Sequence, residues 1–411
     1  MSDRTIFLNA SVLDPDQGEM RPDSSVVVEQ GLIREVSDDR VNATSDRTID
    51  LRGALLMPGL IDCHVHVTAV SSDVWGMAEW SPSYVAARAG RVMAGMLQRG
   101  FTTVRDVGGC DFGLARAVDE GYVEGPRVVY GGKMLSQTGG AGELRGPGRM
   151  AYDAHYNTPN LATLCDGVTE VRRAAREEIR RGASHLKLYL SGAVDAPSDR
   201  VDATQFSEEE IRAAVEEADA ANIYVAGHAY TSRAVNRGLR LGVRTIEHGN
   251  LMDASSPPLF LEHGSFYVPT LVTYYALAKY GREEGVPEAA LVKLPPVQQG
   301  GLKALELCQR EKVQIAYGSD LLAEMHREQS MEFTIRSEVQ AAADIVRSAT
   351  TVGARLLGLE GRVGRVAEGA HADLLVLDVN PLDDVKVLSD PASHLKLIMK
   401  AGRIVRDELS A

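Results

Sequence analysis

The sequence predicts an α/β protein: a (β/α)8 TIM barrel with a small β-sandwich domain assembled from both termini. Three observations carry that expectation. Strand-like apolar runs alternate with helix-like stretches through the middle of the chain, about eight times over roughly 300 residues. The two ends are β-rich in a different style. A length of 411 residues suits one large barrel with an accessory domain better than three ordinary domains. The expected division is residues 1–57 with 361–411 for the sandwich, and 58–360 for the barrel.

The N-terminal segment alternates apolar and polar residues in TIFLNASVLD, SSVVVEQGLIREV and RTIDLRGALL, separated by Asp and Gly turns, as in a small β-meander. The tail repeats the style in VGRVAEGAHADLLVLD and LKLIMKAGRIV. Between them the strand candidates are LIDCHVH, TTVRDVG, RVVYGGKML, HLKLYLSG, IYVAGHAY, RTIEHG, FYVPTLVTY and QIAYGSD. Helical stretches such as SYVAARAGRVMAGMLQRG and DGVTEVRRAAREEIRRG lie between most of them. SEEEIRAAVEEADAAN opens with Ser207 and, three residues on, Glu210, a capping-box signal. The longest irregular stretch, from Ser136 to Gly167, follows the third strand. Loops after barrel strands line the active-site face, so this one is expected to shape a substrate pocket.

Composition narrows the function classes. A formal charge of −13 and dispersed basic residues argue against nucleic acid or an anionic membrane as partner. Arg172-Arg173 and Arg180-Arg181 read as a solvated helix face. Cys63, Cys110, Cys165 and Cys308 are widely spaced, which suggests neither a disulfide framework nor a cysteine zinc site. Cys63 is expected to be a buried apolar residue. The N-terminus lacks the basic and apolar regions of a secretory signal, and no apolar run approaches the ~20 residues of a membrane span. A cytoplasmic location is the default. No sequence stripe specifies an oligomer, and a homo-oligomer is compatible with such a barrel.

Six residues read as one metal site: His64, His66, Lys187, His228, His248 and Asp320. Each sits near the end of an apolar run. His64 and His66, two apart on a strand, point to the same side, and imidazole suits zinc and its neighbours. Alone, such a pair is more often incidental. A lysine inside a buried strand is rare unless paired; Lys187 is either a snorkelling rim residue or a carbamate whose two oxygens bridge two metals. His228 and His248 are individually ordinary, and Asp320 could be a helix cap. The set carries the argument, because five strand ends each supply a suitable residue type. His185, two residues before Lys187, is expected to pack deeper, and His263, His371 and His394 to be structural or solvated.

These residues lie in MPGLIDCHVHV, GFTTVRDVGG, LKLYLSG, VAGHAYT, VRTIEHGN, YVPTLVTY, AYGSDLL and EGAHADLLVLDVNPL. Through them the chain resembles the amidohydrolase superfamily nearly end to end, and within it the carbamoyl-lysine branch: prolidase-like dipeptidases, imidazolonepropionase-related proteins and ochratoxinase-like amidases. The resemblance implies a binuclear metal-dependent hydrolase of an amide bond in a dipeptide or N-acyl amino acid, with two divalent ions, zinc expected, and a hydroxide bridging them. His64 and His66 would hold the first metal and His228 and His248 the second. Carboxylated Lys187 would join the two. Asp320 would ligate the first metal and carry the proton, and Tyr230 would contact the scissile group. Gln137, Arg145 and Tyr274 are further candidate substrate contacts, Arg145 competing with a plain solvated loop arginine.

Two departures stand out. Ala141 occupies a position where the relatives usually carry histidine, and Ser191-Gly192-Ala193 replaces a more usual Ser-Gly-Gly. Both leave the metal ligands intact and put dipeptidase specificity in question; the Gly-rich loop around Ala141 is expected to be flexible enough to tolerate Ala141→His. The same water could attack a carbamate, ester, lactone or phosphotriester. A mononuclear deaminase of this fold, which does not need the strand-four lysine, and a non-catalytic scaffold are the competing classes.

Overall fold

The computed structural model describes residues 4–38, 41, 47–74, 76–143, 160–194, 196 and 199–409. Strands from both termini form one eight-stranded sheet. Its order runs Arg403–Asp407, Leu395–Lys400, Leu374–Leu377, Leu55–Pro58, Arg4–Asp14, Glu19–Glu29, Leu32–Ser37, with Arg47–Asp50 also on Arg4–Asp14. Arg4–Asp14 therefore has three partners: Glu19–Glu29 antiparallel, and Arg47–Asp50 and Leu55–Pro58 parallel on successive halves. Phe7, Val26, Leu56, Leu374, Val376 and Leu397 pack together on one side of it. On the other, Leu13, Met57, Leu375 and Ile398 share a cluster with Leu60, Phe101 and Val104 of the middle region. The two regions thus meet through apolar side chains rather than a linker.

The middle is built of parallel strands with intervening helices. Leu60–Val65, Phe101–Asp106 and Arg127–Tyr130 form one sheet. The second runs Ala162–Leu164, Met134–Ser136, His185–Tyr189, Tyr224–Thr231, Thr245–Leu251, Phe266–Val268, Gln314–Ile315. Backbone hydrogen bonds join the two sheets, Cys63 N to Tyr317 O at 2.8 Å and Ser184 N to Tyr130 O at 2.9 Å. The strands are almost wholly buried, as expected for parallel strands covered on both faces.

The expected third strand, RVVYGGKML, is split. The chain passes from one sheet to the other at Gly131-Gly132, where Gly132 has φ +75°. A Cβ at Gly131 would come within 2.7 Å of His185 Nε2, so only glycine allows the crossing. The expected strand FYVPTLVTY also divides: Phe266–Val268 is extended, and Leu271–Tyr280 is helix. Pro269 supplies no donor to a ladder, and Thr270 at φ +48° turns the chain. Tyr274 therefore stands on a helix. QIAYGSD is strand only at Gln314–Ile315. The helix Glu208–Ala220 begins as expected, with the Ser207 side chain and Glu210 forming a reciprocal capping box. Arg172 of Gly167–Arg180 is not merely solvated: its Nη1 donates to Glu217 at 2.8 Å on that neighbouring helix.

Candidate metal centre

His64 and His66 lie at the C-terminal end of Leu60–Val65, Lys187 within His185–Tyr189, and His228 and His248 near the ends of the next two strands. Parallel pairing sets Tyr189 beside His228 and Ala229 beside His248. All five side chains, with Asp320, line one cavity. Its remaining walls include Met134, Leu161, Tyr189, Tyr230, Tyr274 and Leu322.

Each imidazole has one nitrogen anchored by the protein. His64 Nδ1 donates to Glu247 Oε2 at 2.7 Å, and His66 Nδ1 to the Gly108 carbonyl at 2.7 Å. His248 Nδ1 bonds Thr270 Oγ1 at 2.8 Å, and His228 Nε2 donates to the Gly192 carbonyl at 3.1 Å. Such anchors fix tautomer and ring orientation, and they leave the opposite nitrogen as a lone-pair donor. His64 Nε2 is buried and has no hydrogen-bond partner among the described residues, although it stands 3.3 Å from Asp320 Oδ1. His66 Nε2 lies 3.3 Å from the same oxygen. Four-coordinate zinc with bonds of about 2.0–2.1 Å separates its ligand atoms by roughly 3.3–3.4 Å. The donor atoms of His64, His66 and Asp320 all lie within 4.8 Å of one another, so this trio suits a divalent ion. His228 and His248 extend the cluster, their ring centroids 4.4 Å apart.

The charges agree with that use. Burial, with Lys187 nearby, pushes His228 down to about 3, and burial beside His228 holds His248 well below the usual histidine range. Both rings are neutral near pH 7, the form that binds metal. Burial lowers Lys187 to about 8. Against the cost of desolvation, His64 and His66 hold Asp320 well below the ordinary carboxylate range.

Three residues at the site have a strained backbone. His248, Thr270 and Asp320 all have positive φ, +76°, +48° and +53°, conformations that cost a non-glycine residue about 1–3 kcal/mol each. At His248 the cost has a visible consequence. Adjacent strand residues normally face opposite sides, yet Glu247 reaches His64 while its neighbour His248 lines the same cavity. Asp320 is held by its own backbone, its N–H donating to His64 O at 2.8 Å.

The motif reading missed the support beneath these ligands. Glu247 is fully buried and paired with Arg105 Nη2 at 2.8 Å, itself fully buried. Arg105 Nη1 also donates to Thr245 Oγ1 at 3.1 Å. Asp62 accepts from His64 N at 3.0 Å and from Ser319 Oγ at 2.6 Å, tying together the segments that carry His64 and Asp320. The signal was in the motifs, since charged residues inside apolar strands have to be paired.

Among the substrate candidates, Tyr230 and Tyr274 line the cavity, and Tyr274 Oη donates to Tyr230 Oη at 3.1 Å. Gln137 is not among the cavity's described lining residues; its side-chain oxygen accepts from Phe206 N at 2.5 Å. Arg145 and most of the long third loop lie outside the described residues. Ala141 does not sit in an open loop: it is buried against Ala193 and Ala196. Cys63 is buried as expected, and His185 packs on Tyr224, ring centroids 5.6 Å apart.

The solved structure of a prolidase complexed with N-methylphosphonate-L-proline is 46% identical, with a TM-score of 0.96 over 98% of this chain and 100% of that one. Ochratoxinase of Aspergillus niger is 30% identical over 98% of this chain and 87% of its own length. Its crystal structure matches with a TM-score of 0.87 at 28% identity, over 99% of this chain and 96% of that one. A 5-methylthioadenosine/S-adenosylhomocysteine deaminase of Haloquadratum walsbyi is 25% identical over 90% of this chain and 82% of its own length. The model of the amidohydrolase family matches residues 55–405. The chain belongs to the amidohydrolase family and is a hydrolase acting on carbon–nitrogen bonds.

Proposed function

We propose that this protein hydrolyses an amide bond in a dipeptide or N-acyl amino acid. Its site would hold two divalent ions, zinc expected, joined by a carbamate on Lys187. The carrying observation is the set of four imidazoles, each anchored through one nitrogen and converging with Asp320 and Lys187 on one cavity. His64, His66 and Asp320 would hold one ion and His228 and His248 the other. The same reading takes the two linked parallel sheets as a closed (β/α)8 barrel spanning residues 58–360. It takes residues 1–57 with 361–411 as a sandwich domain. The four cysteines are buried free thiols, which suits the reducing cytoplasm.

When bound, the ions would supply Lewis acidity toward water and the scissile carbonyl. The protein's own groups do the rest. Asp320, ionised and beside the donor nitrogens, accepts the proton of the attacking water. It then returns that proton to the leaving amine, a poor leaving group without it. Tyr274 donates to Tyr230, which orients Tyr230 to donate its own proton to the oxyanion as charge develops there. Tyr189, Leu161 and Leu322 supply an apolar wall. Lys187, at about 8, is roughly a tenth neutral amine at pH 7, enough to react with CO2.

The likeness to a prolidase complexed with N-methylphosphonate-L-proline supports a substrate with a prolyl part. A carbamate, ester, lactone or phosphotriester is the neighbouring reading on the same site. Lys187, buried inside the cavity, disfavours the mononuclear deaminase. The test is a screen of dipeptides and N-acyl amino acids against the metal-loaded enzyme, run with Lys187→Ala and Lys187→Arg. Wild type should release amino acids. Lys187→Ala should lose activity and regain part of it with added short-chain carboxylates. Lys187→Arg should stay inactive. Ammonia release from an aminated heterocycle, with full activity in Lys187→Arg, would overturn the reading.

A further inference from the structure

A second cavity opens between the helix Pro82–Gln98 and the short helix Ala323–Glu328. Arg88, Arg91 and Arg99 reach it from the first helix and its C-cap, spaced so as to share one face. Arg327, His326 and Glu324 face them from the second element. None of these residues lines the metal cavity. On a chain of net charge −13, four guanidinium groups around one opening is an unexpected concentration of positive charge.

Little of that charge is neutralised. Glu324 is the one carboxylate among the described lining residues, 3.9 Å from Arg88 and largely exposed. Arg327 has Glu328 at 3.6 Å. Among the described residues, Arg91 and Arg99 have no carboxylate within ion-pair distance. Arg99 is the informative one. Burial lowers it to about 10, so it stays charged at neutral pH with no direct counter-ion, a costly arrangement unless something compensates it. Its Nε and Nη2 both donate to Gln329 Oε1, at 3.1 and 2.9 Å. Gln329 Nε2 in turn donates to Asp62 Oδ2 at 2.9 Å. This chain of bonds fixes the guanidinium plane. Gly95 lines the cavity beside the remaining edge, where a Cβ would stand 3.1 Å from Nη1. His326 Nε2 is used on the Ala69 carbonyl at 3.3 Å, and burial next to Arg99 pushes the ring down to about 3, so it adds shape rather than charge.

We propose that this cavity is a binding site for a phosphate-class dianion, either free phosphate or the phosphate of a monoester. Arg91 and Arg99 would be its principal donors, and Arg88 and Arg327 would flank it. A fixed guanidinium edge presents paired N–H donors that match the oxygens of a phosphate. Two or more uncompensated positive charges favour a dianion over a monocarboxylate.

Isothermal titration of the metal-loaded protein, at constant ionic strength, tests the proposal with inorganic phosphate and AMP as probes and acetate as control. Wild type should bind one phosphate or AMP per cavity and hold acetate at least tenfold more weakly. Tighter AMP than phosphate would point to a monoester, and the reverse to the free anion. Arg91→Glu and Arg327→Glu should each weaken binding at least tenfold, with metal content and basal turnover unchanged. Phosphate binding that is equal in both variants would place the anion at the metal centre and overturn the proposal, as would absence of binding at millimolar phosphate. Arg91→Ala decides the question if a charge reversal impairs folding.

Discussion

Asp320 combines three properties in one side chain. It stands 3.3 Å from two imidazole nitrogens, it is ionised, and its backbone is held in a left-handed conformation against the first strand. Asp320→Asn keeps the shape and can offer an oxygen to a metal but cannot accept a proton. Turnover should fall by at least ~10²-fold, the low end for a missing general base, with an unchanged circular dichroism spectrum. A loss of only a few-fold would move the base elsewhere. Glu247 acts one layer below. Its removal leaves Arg105 buried and unpaired and frees the His64 ring. Glu247→Ala should cost about 3–5 kcal/mol of stability and weaken metal binding about 10–100-fold. Denaturant unfolding and competitive chelation measure the two effects, and a variant with normal stability would show that the Arg105 pair is not structural.

At the scale of elements, local rules made some features readable in the sequence and long-range ones hid others. The capping box at Ser207 and Glu210 is local chemistry and was legible. So were the strands that carry His64, Lys187, His228 and His248, because each ends an apolar run. FYVPTLVTY misled because its β-rich composition outweighed Pro269, and only the turn at Thr270 shows where helix begins. Gln314–Ile315 is shorter than its apolar run because the following residues bond individually to the first strand, as Tyr317 O does with Cys63 N. Glu247 escaped notice because strand alternation points it away from its histidine neighbour, and the positive φ of His248 cancels that alternation. Glycine neighbours suggest an open, tolerant loop at Ala141, whereas the chain folds it against Ala193 and Ala196. Ala141→His should therefore overpack that contact and cost about 1–3 kcal/mol, visible as a lower melting temperature. An unchanged melting temperature would mean the loop rearranges freely.

Over the whole molecule, the terminal sheet and the parallel sheets share an apolar cluster around Leu13, Met57, Phe101 and Leu375. The rigid base this provides leaves the strand ends free to carry polar chemistry. Six residues spanning positions 64 to 320 then meet in one cavity. The direct measurement is metal content per chain, by elemental analysis of protein purified from metal- and bicarbonate-supplemented medium, for wild type and Lys187→Ala side by side. A binuclear site bridged through Lys187 implies two divalent ions per wild-type chain, and fewer in Lys187→Ala until a short carboxylate is added. One ion or none in fully loaded wild type, or two in Lys187→Ala without a carboxylate, would contradict it.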